Sequence, residues 1–470
     1  MMEVFGMSKF MKKLILLALF ITATFLTANA QYTKLCDFTD AANGSYPGGS
    51  LFSDGTFLYG MTREGGNGMG VIFKIKPDGT GYSKLLDFAG AANGSYPEGG
   101  ALISDGTFLY GMTIGGGTNG MGVIFKIKPD GTSYSKLLDF AGLANGRYPE
   151  GSLISDGTFL YGMTSEGGTN GLGVIFKIMP DGTGYSKLLD FAGAANGRLP
   201  NGSLISDGIF LYGMTLYGGT NDIGVIFKIK PDGTGYFKIL DFAGAANGKE
   251  PYGSLISDGT FLYGMTSWGG ANDMGVIFKI MPDGTGYSKI LDFAGTANGS
   301  YPEGSLISDG TFLYGMTAYG GINDMGVIFK IKSDGTGYSR LLNFAGAANG
   351  RQPWGSLISD GTFLYGMTFY GGTYDVGTVF KYQYCAADIA ENNAGSDFNV
   401  YPNPGSGKFL ISSNRNISSI EIYNLMGKKI FQSTIKNQQS EIDLSNQTKG
   451  IYFIKIYDGQ TVLAKKIVIQ

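Results

Sequence analysis

The chain has 470 residues, 79 of them Gly, with 16% charged and 13% aromatic residues, a net charge of −3 and no His. That balance excludes a disordered chain, which would be charged and poor in aromatics, and the absence of His removes Ser-His-Asp and Cys-His catalysis and every His-ligated metal site. With no basic block to neutralise phosphates, nucleic acid is not an expected partner.

Lys9, Lys12 and Lys13 precede an apolar run from Leu14 to Leu26, and Ala28-Asn29-Ala30 follows. A basic leader, a short apolar core and a small-x-small cleavage site read as a secretory signal peptide over residues 1–30. The run is shorter than the ~20 residues a spanning helix needs, and no later segment is apolar enough to cross a bilayer. Met7 and Met11 offer alternative starts.

The string Leu-Tyr-Gly-Met-Thr then recurs with its Tyr at 59, 110, 161, 212, 263, 314 and 365, always 51 residues apart. A fixed period of this size marks a solenoid or a propeller. Glycine spread among Tyr, Phe, Ile and Leu favours strands and tight turns over helices. Within one unit, Gly151 to Ser155 reads as a strand, Asp156-Gly157 as a hairpin turn and Thr158 to Thr164 as the returning strand. Gly173 to Pro180 and Tyr185 to Phe191 form a second hairpin around Asp181-Gly182. Four antiparallel strands in about 50 residues make one propeller blade, so the reading is all-β, with a seven-bladed propeller over 31–385. The seventh unit lacks its own fourth strand, and Lys34 to Phe38 repeats that strand's motif at the N-terminus. Thr33 to Phe38 is therefore expected to pair with Thr378 to Tyr384 and close the ring.

These repeats resemble the tandem-repeat family called GloVer through the DGTFLYGMT, GVIFKI, PDGT and KLLDF strings, in one register over 33–384. Ser333 and Asn343 depart from the pattern, and the last unit loses PDGT after Lys381. The resemblance implies a secreted, propeller-like protein and little about activity.

Asp54, Asp105, Asp156, Asp207, Asp258, Asp309 and Asp360 all sit in Ser-Asp-Gly turns, and sevenfold repetition reads as turn chemistry rather than a metal or catalytic site. No catalytic residue, cofactor or metal is assigned. The loops at the opposite end vary most. Two residues after Gly-Met-Thr come Glu64, Gly115, Glu166, Tyr217, Trp268, Tyr319 and Tyr370; after the loop Pro come Gly48, Glu98, Glu150, Asn201, Tyr252, Glu303 and Trp354. Trp268, Trp354, Tyr217, Tyr252, Tyr319 and Tyr370 are the candidate ligand-binding residues, expected on one face, with an acidic arc on blades one to three. Flat aromatics beside a few acids suit an extended ligand such as a glycan. The alternatives are aromatics that only pack on neighbouring loops, a structural or adhesive surface protein without a defined ligand, and a polysaccharide-degrading enzyme using a carboxylate pair such as Glu98 and Glu150. The non-enzymatic binding module is the preferred reading.

Composition changes after Cys385: residues 386–397 read as a linker, and 398–470 as a small β-sandwich with strands at Lys408–Ser412, Ile420–Asn424, Lys429–Gln432, Glu441–Leu444, Ile451–Tyr457 and Val462–Ile469. VYPNP at 400–404, IEIYNLMGKKI at 420–430, KGIYFIKI at 449–456 and KKIVIQ at 465–470 resemble the type A C-terminal sorting domain of the type IX secretion system. That resemblance implies the type IX machinery as a partner, delivery to the outside or outer surface of a Gram-negative cell, and removal of the domain. Cys36 and Cys385 are not expected to form a disulfide, because the strand register places Cys36 opposite the region of Thr378 and leaves the two thiols ~20 Å apart.

Overall fold

Asp156 and Gly157 reverse the chain between Ile154–Ser155 and Leu160–Thr164, and two more strands, Val174–Ile178 and Ser186–Asp190, complete a four-stranded antiparallel sheet in sequence order. The same sheet recurs six more times. The computed structural model describes residues 31–384 and 398–469, apart from 404, 414–415, 425–428, 435–436, 448–449 and 458–461; the expected signal peptide, the expected linker and Cys385 lie outside the described residues.

Each turn is built by its own aspartate. Asp156 Oδ1 accepts the N–H groups of Thr158 and Phe159, its Oδ2 accepts the Tyr161 hydroxyl at 2.7 Å, and Gly157 takes the positive φ of 91° that such a turn needs. The Tyr-to-Asp bond recurs in all seven copies, so the turn reading of these acids holds.

The second and third strands are buried along nearly their whole length, with Val174, Ile175 and Phe176 fully enclosed. At about 1.5–3 kcal/mol per large apolar side chain, these positions dominate the core. Seven apolar clusters form, each between one blade and the next. Tyr365, Met367 and Val379 of the last blade pack with Leu51, Leu58 and Phe73 of the first. The ring is closed. Tyr32–Asp37 pairs antiparallel with Thr378–Gln383, Tyr32 opposite Tyr382 and Asp37 opposite Thr378, and becomes the fourth strand of the seventh blade. Cys36 stands opposite Val379, within one residue of the expected register, half-buried against the cluster between blades seven and one. Its pairing with Cys385 lies outside the described residues.

The first strand of every blade is shorter than expected: Ile154–Ser155 instead of Gly151–Ser155. The reason lies on the ring axis. The Ser152 N–H donates not to its own sheet but to the Ser203 hydroxyl of the next blade at 2.7 Å, and the same link runs from Ala101 to Ser152 and onward through Ser254, Ser305 and Ser356 to Ser50. Ala101 interrupts this belt, since it offers Ser50 no hydroxyl. Replacing Ala101 with Ser is expected to add the missing acceptor and stabilise the ring by about 0.5–1.5 kcal/mol, read as a rise in the thermal midpoint; a fall would show that the site has no room for the oxygen.

In the C-terminal module, Phe398–Tyr401, Lys408–Ser413 and Gln439–Asp443 form one sheet, and Lys429–Thr434, Ser419–Asn424, Gly450–Tyr457 and Val462–Ile469 the other. Phe409, Ile411, Ile420, Ile422 and Ile454 share one core, as a sandwich requires. A seventh strand, Phe398–Tyr401, was not expected from the sequence. It is four residues long and gains its order from pairing with Lys408–Ser413.

Candidate functional site

Because consecutive strands are antiparallel, the Asp-Gly turns occupy one end of the ring, and the loops joining strands two to three and four to one occupy the other. All six candidate aromatics lie in those loops, at the end opposite the Ser-Asp-Gly turns, but at two distances from the axis.

The inner circle consists of the residues that follow the loop Pro. Glu98, Glu150, Asn201, Tyr252, Glu303 and Trp354, with Gly48, line an axial cavity of about 530 Å3 whose wall continues into the serine belt. Burial raises the Glu98 carboxyl, and Arg63, 3.2 Å away, opposes that rise. Burial first, and then the charge of Glu98, pushes Glu150 up to about 7, although the Asn201 amide donates to it. Glu303 is likewise pushed up to about 7, by burial and then by Glu98. Tyr252 rises to about 12, mainly through burial. The acidic arc is therefore not confined to blades one to three: Glu303, on blade six, occupies the same position in its repeat and shares the cavity.

The outer circle holds Tyr217, Trp268, Tyr319 and Tyr370. Each is bridged through the backbone to a residue of the preceding loop: Arg198, Lys249, Ser300 and Arg351 respectively. Arg351 lies 4.5 Å from the Tyr370 ring centre and is fixed by two hydrogen bonds to Asp375, at 3.1 and 2.8 Å. Arg198 repeats this over Tyr217 at 4.9 Å, held by Asp222. Such cation–aromatic contacts fix the rings at about 0.5–1 kcal/mol each. Trp268 is 36% exposed, and the other five candidates are half-buried, neither free nor enclosed.

Further aromatics extend the surface, and the sequence reading missed them. Trp268 contacts Tyr301 at 4.3 Å, Tyr301 meets Tyr319 edge-on at 5.9 Å, and Trp354 stacks on Phe369 at 3.6 Å while approaching Tyr370 at 6.4 Å. Tyr301 belongs to a third variable position, the residue just before each loop Pro, with Tyr46, Tyr96, Tyr148, Leu199, Glu250 and Gln352. All seven are left-handed, with φ between 51° and 56°. Non-glycine residues adopt that conformation at a cost of about 1–3 kcal/mol unless their surroundings fix it. Here the Tyr301 N–H donates to Met274 O of one blade and its carbonyl accepts the Ala318 N–H of the next, both at 3.0 Å. A variable residue before an invariant Pro was the available signal.

Glu98 and Glu150 do lie together, yet both are shifted upward, whereas an acid–base pair needs its two members pushed apart. Among the described residues no three His, Cys, Asp or Glu side chains converge to hold a metal.

Comparison with known proteins agrees with this architecture. The Gloeobacter/Verrucomicrobia repeat family model matches residues 22–158, 155–261 and 235–390, and the secretion system C-terminal sorting domain matches 399–470. No curated protein matches the sequence. Among solved structures, a fungal alcohol oxidase in complex with copper is similar at a TM-score of 0.52 and 9% identity, covering 93% of this chain and 98% of that one. An oligogalacturonate lyase in complex with manganese is similar at 0.50 and 13%, covering 75% and 92%. PorZ, an essential surface component of the type IX secretion system of Porphyromonas gingivalis, is similar at 0.47 and 15%, covering 93% of this chain, which spans 60% of PorZ. At these identities the likeness is one of fold.

Proposed function

The chain belongs to the Gloeobacter/Verrucomicrobia repeat family and ends in a type IX secretion sorting domain, and from that premise we propose that it is a non-enzymatic binding module that recognises an extended ligand, a glycan, on the loop face of its propeller. The sorting domain makes it a secreted or outer-surface protein of a Bacteroidetes-type Gram-negative bacterium, handled by the type IX machinery. What supports the binding reading is the asymmetry of the two ends of the ring. One end is built of identical turns whose aspartates are consumed by their own backbone. The other carries both tryptophans of the protein and a run of tyrosines that differ from blade to blade. Rings held at fixed angles by Arg198, Lys249 and Arg351 are preorganised platforms, which reduces the ordering cost of binding.

Because Trp268 and Trp354 are the only tryptophans, selectively excited tryptophan emission reports on this face alone. Titration with a bound oligosaccharide is expected to shift the emission, and Trp268→Ala to weaken binding by about 1 kcal/mol, some fivefold, the worth of one aromatic contact. Saturable binding with unchanged emission and no loss in Trp268→Ala would place the ligand elsewhere and overturn the reading.

A further inference from the structure

The axial cavity differs from the aromatic rim because its charges are not balanced from within. Glu98 meets Arg63, and Glu150 has only the neutral Asn201 amide and Ser165 hydroxyl. Glu303, on the opposite arc, has no ion-pair partner among the described residues. Taking carboxylates out of water without a counter-charge is costly, and a cation entering the cavity would remove that cost. Its volume, about 530 Å3, falls within the roughly 300–1,000 Å3 of small-molecule sites. Two further features select for more than a bare cation. Tyr252 and Trp354 form part of the wall. Each belt serine oxygen accepts one backbone N–H, and its hydroxyl proton can still donate.

We infer that the cavity receives a protonated amino-sugar oligomer, its ammonium groups taken by Glu150 on one side and Glu303 on the other and its hydroxyls by the serine belt. This rests on the glycan-binding reading above and names the sugar class that the centre of the face selects. A neutral sugar would leave Glu303 either charged and unpaired or protonated, whereas an ammonium beside aromatic walls gains from both the carboxylates and the rings.

The pH dependence follows from the groups facing each acid. Glu150 faces Glu98, Tyr252 and Glu166, the last paired with Arg147, and Glu303 faces Glu98, Tyr252 and Tyr319. With both acids at about 7, they are largely ionised at pH ~7.5 and neutral at pH ~5. The amine gains charge over the same range in which the acids lose theirs, so the preference is greatest near neutral pH and is lost by pH ~5, where the carboxyls are neutral although the amine is fully charged.

The test uses the mature full-length chain, with the glucosamine hexamer and its fully N-acetylated counterpart as probes, followed by calorimetry and tryptophan emission. At pH ~7.5 the amino oligomer is expected to bind about tenfold more tightly, the preference to vanish at pH ~5, and Glu303→Gln or Glu150→Gln to remove most of it while the fold is retained. Equal binding of both oligomers, or a preference that survives both substitutions or grows at pH ~5, overturns the inference and leaves the rim reading standing. Binding of neither oligomer also overturns it, and the rim reading is then judged on neutral polysaccharides alone.

Discussion

A chain that begins at residue 39 is expected not to form a closed propeller, and to aggregate or unfold at a far lower denaturant concentration than the chain that begins at 31. Tyr32–Asp37 supplies the outer strand of blade seven, Phe38 is fully buried, Leu35 nearly so, and the Tyr32 ring stacks on Phe380 at 5.7 Å. At about 1.5–3 kcal/mol per buried large side chain, Leu35 and Phe38 alone approach the lower end of the ~5–15 kcal/mol of a typical domain. Their loss also leaves Thr378–Gln383 as an unpaired edge, a template for association. Size-exclusion chromatography and denaturant melts of the two chains decide this, with a synthetic 31–38 peptide added in trans as the rescue. A truncated chain that stays monomeric with an unchanged midpoint would mean that blade seven is complete without its borrowed strand.

A second large effect is expected at the axis. A Cβ built on Gly253 would overlap the carbonyl oxygen of Gly304 in the next blade, and the same holds between Gly202 and Gly253, Gly304 and Gly355, and Gly355 and Gly49. The obstacle is backbone and cannot rotate away. Gly253→Ala must push blades five and six apart and stretch the 2.7 Å bond from Ser254 N to Ser305 Oγ, at a cost of about 3 kcal/mol or more, the upper range for overpacking. Gly259→Ala is the control: a Cβ there meets nothing, and only its φ of 90° is unfavourable, for about 1–2 kcal/mol. Urea melts of the two variants test the difference, and equal destabilisation would remove steric closure of the axis from the account.

Much of this architecture was legible because it is made by local chemistry repeated in register. Asp-Gly turns specify their hairpins wherever they occur, the 51-residue period fixes which strands are equivalent, and the missing fourth strand of blade seven could be matched to Lys34–Phe38. What the sequence did not disclose depends on distance from the axis. Nothing in Gly151-Ser152 distinguishes a strand residue from one whose N–H turns to the neighbouring blade, so the first strand is shorter than the sequence predicts. The two variable loop positions looked equivalent, yet one set lines a cavity while the other stands outside it. The acidic arc expected on blades one to three left out Glu303, although it holds the same position in its repeat as Glu98 and Glu150 and lines the same cavity. Tyr301 escaped notice because the positive φ that sets its position is a property of the assembled seam between two blades. In the sorting domain, Phe398–Tyr401 was missed because a four-residue strand at a composition boundary has too little alternation to register.

The loop face is expected to hold a glycan without cutting it. The most direct test exposes the mature chain to a panel of surface and plant polysaccharides and measures, in the same samples, retention of the protein on the polymer and release of new reducing or unsaturated ends. Retention of the wild-type chain on at least one polymer, reduced in Trp268→Ala and unaccompanied by product, is the predicted result; product release that is lost in Glu98→Gln or Glu150→Gln, or the absence of retention on every polymer, would contradict it.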